Sequence, residues 1–347
     1  MAIVQHLIVD EFGVHLSKHS GRLKVMRLGE GTPSERLVQQ APLLHLESVL
    51  IAGRGISLSA DAVEACCERG IPIYFVSGLG RPYAALYSAG LTGTVETRRA
   101  QLLAYDDRRS LTLALAFAEG KIHNQATLLK YMAKYRKEAD PDLFAALNQA
   151  AAEVQAHVDD VGQLKGEKAA DVRERLMGIE GRAAQRYWSA VKKVLPESYS
   201  WPGRRGRGAK DPINAALNYG YGILYSQVER AIVLAGLDPY AGFVHTDRPG
   251  KPSLVLDLIE EFRAPAVDRT VFGLANKRVP LEQDERGLLT KETRRTLAEK
   301  VLARLESPAR YERKRHPLRA IIQMQARHVA TFVRRDRAAY KPFADTW

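Results

Sequence analysis

The chain has 347 residues, a length that predicts two domains rather than one. Hydrophobic residues make up 46% of it and charged residues 27%, proportions that are ordinary for a soluble globular protein and exclude a chain of strongly biased composition. The formal net charge of +12 favours a polyanionic partner, nucleic acid first and an anionic membrane second. The alternative is that the charge only keeps the protein in solution.

Three features of the sequence bear on the compartment. The two cysteines, Cys66 and Cys67, are adjacent and lie in a predicted helix, so buried thiols are expected rather than a disulfide. The N-terminal residues lack the basic start of a signal peptide. Residues 212–228 form the longest uncharged segment, but this segment is too short and too polar to span a bilayer. We therefore expect a cytoplasmic protein with no membrane partner.

Residues 1–90 show the pattern of short strands separated by turns. Residues 14–16 and 23–25 face each other across a short turn, which is the signature of a β-hairpin. Ser59 is the predicted N-cap of a single short helix that ends near Gly70. The pattern predicts a small β-rich, sandwich-like domain over residues 1–90.

From about Thr94 the hydrophobic period becomes helical. A proline-free run over 96–137 predicts a long helix that Gly120 breaks or bends, and residues 141–158 and 169–194 predict two more helices. We therefore predict an α+β protein of two domains, in which an all-α domain over 91–347 follows the β-rich one. The boundary is placed near residues 85–95.

The third of these helices contains Gly178-Ile179-Glu180-Gly181, a carboxylate between two glycines. Each glycine costs a helix about 1 kcal/mol relative to alanine, so its presence needs a reason. Close approach by a ligand or by another backbone is one reason. A tolerated surface turn is the other, and the sequence does not separate the two.

Residues 202–210 form a loop with four cations and no acid. Such loops grip phosphates, although a solvated linker fits the same composition. Asp211 and Pro212 then predict the start of a helix. This helix carries several polar residues in an otherwise apolar sequence, so it either lines a site or holds polar groups that are satisfied internally.

Residues 242–263 contain the densest set of candidate metal ligands. A loop with His245 leads into a predicted helix in which Asp257, Glu260 and Glu261 follow at i, i+3 and i+4, and so share one face. Like charges at this spacing repel each other, and a bound cation would reverse the sign. A divalent metal held by these oxygens and by the imidazole is the functional interpretation. A solvated acidic face and a hydrogen-bonded histidine are the alternative.

The C-terminal segment 304–341 carries much of the excess charge. It holds eleven Lys or Arg residues against three acids. Charge localised in this way is what nucleic-acid binding requires. The sequence leaves open whether the segment binds DNA or a protein partner.

Taken together and in this order, the motifs resemble those of the CRISPR-associated integrase and endonuclease family, protein 1 of the CRISPR adaptation machinery. The resemblance covers essentially the whole chain. It is carried by residues 178–181, 211–215, 219–221, 242–245 and 252–263 and by the ending Tyr340-Lys341-Pro342-Phe343. It implies an N-terminal β-domain followed by an all-helical catalytic domain, in agreement with the hydrophobic pattern.

The resemblance also implies the catalytic residues. The family's metal ligands are a Glu, a His and a third carboxylate, and by motif they fall on Glu180, His245 and Glu260. The third ligand is Asp in some members of the family. Asp257 matches a second acidic position, which acts through water or as an outer-shell contact. A ligand set rich in oxygen with a single imidazole suits Mg²⁺ or Mn²⁺.

The implied reaction is the insertion of short foreign DNA fragments, or spacers, into a CRISPR array in antiviral defence. A 3′-hydroxyl of the fragment attacks a phosphodiester of the array; with water as nucleophile, the same site cuts branched or single-stranded DNA. Further candidates rest on charge and proximity in the sequence, which is a weaker argument. They are a set of cations that would hold DNA phosphates, and Tyr221, which would position the substrate. The phosphate-binding candidates are Arg204, Arg205, Arg207, Arg248 and Lys251.

The implied partners are DNA (duplex, branched or CRISPR repeat), a second copy of the chain, and a small ferredoxin-like second adaptation protein. Two homodimers, each formed through the N-terminal domain, would be bridged by that protein into a heterohexamer. Two other functions remain open. One is a transposase-like integrase of a mobile element, which would be expected to carry an added DNA-reading module at the C-terminus. The other is a non-catalytic DNA-binding scaffold whose acidic face is structural.

Overall fold

The N-terminal part of the computed structural model consists of two four-stranded sheets, with strand orders β1-β5-β7-β8 and β4-β3-β2-β6. The structure describes residues 4–27, 36–88, 94–206, 208 and 210–346. The strands are β1 (His6–Val9), β2 (Val14–His19), β3 (Arg22–Arg27), β4 (Arg36–Pro42), β5 (Ser48–Ile51), β6 (Ser57–Leu58), β7 (Ile73–Val76) and β8 (Pro82–Leu86). Helix α1 (Ala60–Glu68) begins as predicted, because the Ser59 side chain accepts a hydrogen bond from the backbone N–H of Ala62.

The predicted hairpin is confirmed as β2 paired with β3. Leu16 lies opposite Val25 in the antiparallel register, and both side chains are buried. The turn places Ser20 and Gly21 at φ values of 48° and 73°. Two consecutive residues with positive φ match the right-handed twist of the strands they join.

The β1-β5-β7-β8 sheet has apolar side chains on both faces, so it joins the two parts of the chain. Leu7 and Val9 face the core shared with the second sheet, whereas Ile8 between them belongs to the core formed with the helices. This alternation follows from the two-residue period of a strand. The proposed division at 1–90 and 91–347 stays a prediction, and its boundary residues 89–93 lie outside the described residues.

Beyond residue 93 the chain is mostly helical, which confirms the predicted fold class. The helices are α2 (Thr94–Ala104), α3 (Arg108–Lys134), α4 (Pro141–Gly162), α5 (Arg173–Lys192), α6 (Pro212–Leu234), α7 (Ser253–Leu258), α8 (Glu260–Phe262), α9 (Arg269–Asn276), α10 (Lys291–Glu306) and α11 (Leu318–Val333). A short hairpin of β9 (Pro308–Tyr311) and β10 (Lys314–Pro317) lies among them. Within the described ranges, no helix combines the length and the apolar character needed to cross a membrane.

The predicted long helix over 96–137 is interrupted, but not at Gly120. It breaks before Arg108, where the Asp107 side chain caps the start of α3. Gly120 lies inside α3, where a Cβ would stand 2.8 Å from a side-chain carbon of Pro342 and 3.0 Å from one of Glu261. The glycine is therefore explained by the close approach of two packed side chains rather than by a bend.

The contact between the β-rich part and α6 also depends on glycine. A Cβ on Gly222 would stand 1.5 Å from the carbonyl oxygen of Gly80, in the turn between β7 and β8. Gly80 itself has a φ of +74°, and a Cβ there would stand 2.3 Å from the Cα of Tyr219. The turn and the helix thus pack backbone against backbone.

Gly222→Ala is therefore expected to destabilise the protein by at least about 1–3 kcal/mol, the range typical of overpacking. The reason is that a backbone atom must move to make room. The measurement is the thermal unfolding midpoint of each variant. Gly162→Ala is the matched control, since nothing lies within 4 Å of the Cβ position at Gly162. Equal losses in the two variants would contradict the role assigned to this contact.

Candidate metal centre

Two acidic residues from distant parts of the chain meet around one lysine. The Nζ atom of Lys121 on α3 lies 3.4 Å from Oε1 of Glu180 on α5 and 3.1 Å from Oε2 of Glu260 on α8. The side chains of Glu180 and Glu260 are only 14% and 11% exposed. The Nε atom of Arg263 lies 2.9 Å from the other oxygen of Glu260. The two carboxylates are thus held together by cations in a largely buried place.

Burial and charge act in opposite directions on these groups. Burial alone would raise the pKa of Glu260, but Arg263 and Lys121 hold it at about 2. Burial raises the pKa of Glu180, and Lys121 only partly offsets this. Burial would lower the pKa of Lys121, but the two carboxylates outweigh it and raise the pKa. Glu260 is therefore ionised and Lys121 charged, and an ammonium group provides the positive charge that the acidic pair requires.

His245 is oriented by Asp257. Its Nδ1 atom lies 2.7 Å from Oδ1 of Asp257, whose side chain is fully buried. The same carboxylate accepts hydrogen bonds from the backbone N–H groups of Phe243, Val244 and His245. Asp257 therefore fixes both the loop and the imidazole. With Nδ1 engaged, Nε2 is the nitrogen left to bind an ion, the arrangement in which a carboxylate supports a metal-bound histidine.

The residues fit a divalent cation on donor chemistry and charge, although they do not already form a complete set of ligands. Among the described residues, no group of three or more His, Cys, Asp or Glu side chains is close enough to hold an ion. The space between the carboxylates of Glu180 and Glu260 is taken by the Lys121 ammonium group. A cation held by Glu180, His245 and Glu260 would have to replace that group, and carboxylate oxygens with one imidazole are ligands for Mg²⁺ or Mn²⁺.

The backbone stays helical from α7 through Ile259 into α8, and a π-helical turn over residues 263–268 follows the three acids. That Asp257, Glu260 and Glu261 share one helical face stays a prediction. Their carboxylates contact three different neighbours. Asp257 holds the His245 loop, Glu260 contacts Lys121, and Glu261 turns to the C-terminal segment.

Glu261 anchors the end of the chain. Its carboxylate accepts hydrogen bonds from the Tyr340 hydroxyl, the Gln325 amide and the backbone N–H of Phe343. Asn124 on α3 reinforces this contact by donating to the backbone carbonyl groups of Glu261 and Phe343. Burial raises the pKa of Glu261 to about 7, although these hydrogen bonds oppose the shift. The last residues of the chain are thus attached to the segment that carries Glu260.

Polar residues of α6 hold the predicted phosphate-binding loop. Asn214 accepts from the backbone N–H of Arg205 and donates to the carbonyl group of Gly203, and Asn218 donates to that of Gly206. The guanidinium of Arg204 binds both asparagine side chains. Arg205 is exposed, and Arg207 lies outside the described residues. Asn214 and Asn218 are therefore satisfied by the loop that they position.

The two remaining phosphate-binding candidates lie in the His245 loop. Arg248 is exposed and Lys251 is half-buried, and the two residues pair across a tight turn at Gly250. The glycines beside Glu180 are not explained by packing. A Cβ on Gly178 would meet only the tip of Arg182 at 3.7 Å, and one on Gly181 would meet nothing within 4 Å. Both glycines are exposed on the surface of α5, so close approach by another backbone does not account for them.

Tyr221 is built into the protein beside the centre. Its hydroxyl donates to Asp268, as does that of Tyr187. The guanidinium carbons of Arg263 and Arg204 lie 4.6 Å and 5.4 Å from the centre of its ring. The ring of Tyr221 therefore supports two arginines, and it lines the same groove as they do.

Asp268 gives the fold a pH dependence of defined sign. Burial raises the pKa of its carboxyl group from 3.8 to about 6, against the hydrogen bonds from Tyr221 and Tyr187. The folded protein therefore holds this proton more tightly than the unfolded chain does. The resulting stabilisation is fully present below pH 3.8 and is lost as the pH rises through about 6.

Asp268→Asn is accordingly expected to remove this part of the pH dependence, because the amide does not ionise. Between pH 4.5 and pH 7 the wild type should lose about 2 kcal/mol more stability than the variant. Urea unfolding of both proteins at the two pH values measures the difference. Parallel pH profiles would contradict the assignment.

A basic groove lies beside the centre, between the β7–β8 turn and the 203–206 loop. It has a volume of about 620 Å³, and its lining includes Arg81, Arg204 and Arg263. Of these, only Arg204 was predicted from the sequence. Arg263 follows Glu260 at i+3, a spacing that indicates an ion pair on a helix. Lys121 carries no local signal, because its partners Glu180 and Glu260 are distant in the sequence. The sequence analysis did not single out Arg81.

Known proteins match this chain along most of its length. The family model described as CRISPR associated protein Cas1 matches residues 7–302. The CRISPR-associated endonuclease Cas1 1 of Archaeoglobus fulgidus is 38% identical over 352 residues, covering 98% of this chain and 99% of the relative. A casposase bound to integration product has the same fold, with a TM-score of 0.79 at 21% identity over 97% of this chain and 93% of its own. A Cas6-RT-Cas1--Cas2 complex matches with a TM-score of 0.71 at 21% identity, over 100% of this chain and 37% of that chain.

Proposed function

The chain belongs to the Cas1 family of CRISPR-associated endonucleases, and from this premise we propose that it is a metal-dependent DNA endonuclease and integrase that inserts short DNA fragments into a CRISPR array. The observation that carries the proposal is the buried pair of Glu180 and Glu260, bridged by an ammonium group. A buried acidic pair that requires a positive charge is the electrostatic setting in which a divalent cation binds.

In this proposal Glu180, His245 and Glu260 hold Mg²⁺ or Mn²⁺, and Asp257 positions His245. Asp257 binds Nδ1, so its carboxylate keeps the imidazole in one orientation and leaves Nε2 to face the ion. When bound, the cation neutralises charge that develops on a phosphate under attack and polarises the phosphorus. Arg263, already paired with Glu260, adds a fixed positive charge at the same place.

The reaction transfers a phosphodiester. The 3′-hydroxyl oxygen of the incoming fragment forms a bond to phosphorus and loses its proton to solvent. The bond from phosphorus to the 3′-oxygen of the array strand breaks, and that oxygen takes up a proton. With water as the nucleophile, the same exchange cuts the strand. The number of phosphodiester bonds is conserved in joining, so no external energy source is required.

The basic groove is the proposed path of the DNA strand to this centre. Arg263 links the groove to Glu260, and Arg204 and Arg81 line the groove farther along. Arg205, Arg248 and Lys251 are proposed to contact phosphates outside it, and Arg205 and Arg248 are exposed. Arg207, in the same basic loop, is kept as a candidate on its charge. Phosphate contacts of this kind position DNA without reading its sequence.

The partners proposed are DNA, a second copy of the chain and the small ferredoxin-like adaptation protein, in a heterohexamer. DNA is supported by the similarity to relatives named endonucleases, and the second copy is kept on the resemblance of the sequence motifs alone. The third is supported by the fold shared with a chain of the Cas6-RT-Cas1--Cas2 complex. The buried acidic pair argues against a non-catalytic DNA-binding scaffold, because two carboxylates and an oriented imidazole would not contribute to DNA binding.

A strand-transfer assay tests the proposal. The purified protein, with and without the small partner, is mixed with a short duplex bearing 3′-hydroxyl ends and a supercoiled plasmid that carries repeats, in Mn²⁺ or in EDTA. Joined products that form only with metal are the expected result. Cutting without joining would indicate a nuclease that does not integrate DNA. DNA binding without any product would favour the non-catalytic scaffold.

A further inference from the structure

A large cleft lies away from the metal centre. It has a volume of about 1400 Å³ and opens between the C-terminal half of α3, α9, the end of α10 and the β9–β10 hairpin. None of the proposed metal ligands lines it. Its first residue on α3 is Leu128, seven positions after Lys121 and so about 10 Å farther along the helix. The cleft also shares no lining residue with the basic groove described above.

The cleft is strongly cationic. Seven of the described residues that line it are Lys or Arg, and among them only Asp345 is acidic. The carboxylate of Asp345 lies 3.6 Å from the guanidinium of Arg304, so this acid is already engaged. Seven cations against one acid leave an excess of six positive charges around a single cavity. The positive electrostatic potential of these side chains attracts polyanions to the cleft.

Arg269 and Arg304 both line the cleft, and their charges repel each other. The side chain of Arg304 is 11% exposed and donates from Nε to the carbonyl group of Pro265. Burial and the neighbouring charge of Arg269 lower the pKa of Arg304 to about 10, against the attraction of Asp345. A bound anion would reduce this repulsion, and its effect would be strengthened by the low dielectric of a partly buried wall.

Aromatic rings accompany these charges. Tyr131 and Tyr135 meet edge to face, with ring centres 5.3 Å apart, and the guanidinium carbon of Arg269 lies 4.5 Å from the centre of the Tyr131 ring. Tyr135 is 67% exposed, which leaves it accessible to a ligand. Exposed rings among cations are the means by which proteins bind single strands without reading their sequence.

We propose that this cleft binds single-stranded nucleic acid, with its cations on the backbone phosphates and Tyr135 stacked on a base. The cavity of about 1400 Å³ exceeds the roughly 300–1,000 Å³ of small-molecule pockets, so an extended polyanion fits it better than a free phosphate or a metabolite. The site is additional to the proposed function and requires no metal.

The test is fluorescence anisotropy with a 5′-labelled oligothymidylate, in EDTA and over a series of salt concentrations. The Lys277→Ala, Arg310→Ala, Arg315→Ala triple variant removes three exposed cations of the cleft. It is expected to bind at least about 10-fold more weakly and to reduce the slope of log affinity against log salt by about 2. Tyr135→Ala is expected to weaken binding by about 10-fold without changing the slope.

A triple variant of Lys18→Ala, Arg22→Ala and Arg54→Ala is the matched control, because it removes the same charge from exposed positions of the β-rich part. It should change affinity less than about 2-fold, since these positions lie outside the cleft. An equal loss in both triple variants would overturn the proposal, as would unchanged binding by the cleft variant.

Two further measurements locate the strand. An oligonucleotide with 5-iododeoxyuridine is expected to crosslink to Tyr131 or Tyr135, and crosslinks found only elsewhere would contradict the cleft. His245→Ala should bind the oligonucleotide as the wild type does; if it binds as weakly as the cleft variant, the strand is held at the metal centre instead. Because these assays contain no metal, they remain informative if no strand transfer is detected.

Discussion

Replacing His245 by alanine is expected to lower metal-dependent cutting and joining of DNA by at least about 100-fold, since a bound cation supplies several kcal/mol of transition-state stabilisation. Glu180→Gln and Glu260→Gln should have effects of the same size. Asp257→Asn should lose about 10- to 100-fold, because it alters the support of a ligand rather than a ligand. The measurement is product formation in Mn²⁺, together with the shift of the thermal midpoint that Mn²⁺ produces.

His157 offers a matched control for His245. Its Nδ1 atom lies 2.8 Å from a carboxylate oxygen of Asp160, so it forms a similar pair on α4, outside the centre. His157→Ala should keep wild-type activity and the wild-type response to Mn²⁺. If His245→Ala keeps most of its activity, or if both variants lose it equally, the assignment of the centre is wrong.

Lys121→Met is expected to have the largest effect on the stability of the metal-free protein. Without the ammonium group, the carboxylates of Glu180 and Glu260 face each other directly. Their side chains are only 14% and 11% exposed. Removing one partner from a buried ionic network costs about 3–5 kcal/mol. Mn²⁺ should then raise the thermal midpoint more in the variant than in the wild type, because the ion no longer competes with the ammonium group.

Lys168 provides the control for this variant. Its Nζ atom lies 3.0 Å from a carboxylate oxygen of Asp106, but the two side chains are 40% and 72% exposed. Lys168→Met should change stability far less than Lys121→Met does, as expected for an exposed surface ion pair. A response of Lys121→Met to Mn²⁺ no larger than that of the wild type would show that the ion does not bind between the two carboxylates.

The centre and the end of the chain are mechanically connected. Glu260 and Glu261 are adjacent, and they face Lys121 and the C-terminal segment respectively. Asn124 lies on the same helix as Lys121 and binds the backbone at both Glu261 and Phe343. The Tyr340–Phe343 motif therefore contributes to the position of a candidate ligand, although it is distant from that ligand in the sequence.

Much of the secondary structure could be predicted because it depends on neighbours in the sequence. The Ser59 cap, the β2–β3 hairpin and the start of α6 at Asp211 follow from hydrogen bonds within a few residues. The same locality let the quoted motifs indicate the family and the α+β fold. It also made His245 and Glu260 candidates, since they lie in one short segment.

Tertiary structure alone decided how these residues are used. Gly120 was expected to interrupt a helix, but it accommodates side chains of Pro342 and Glu261. The three acids after residue 256 are predicted to share one face, and the segments packed around them supply three different neighbours. Lys121, which joins Glu180 to Glu260, has no signal in its own surroundings. Spacing along the chain fixes the direction of a side chain relative to its own helix, whereas the group that it meets depends on how distant segments pack.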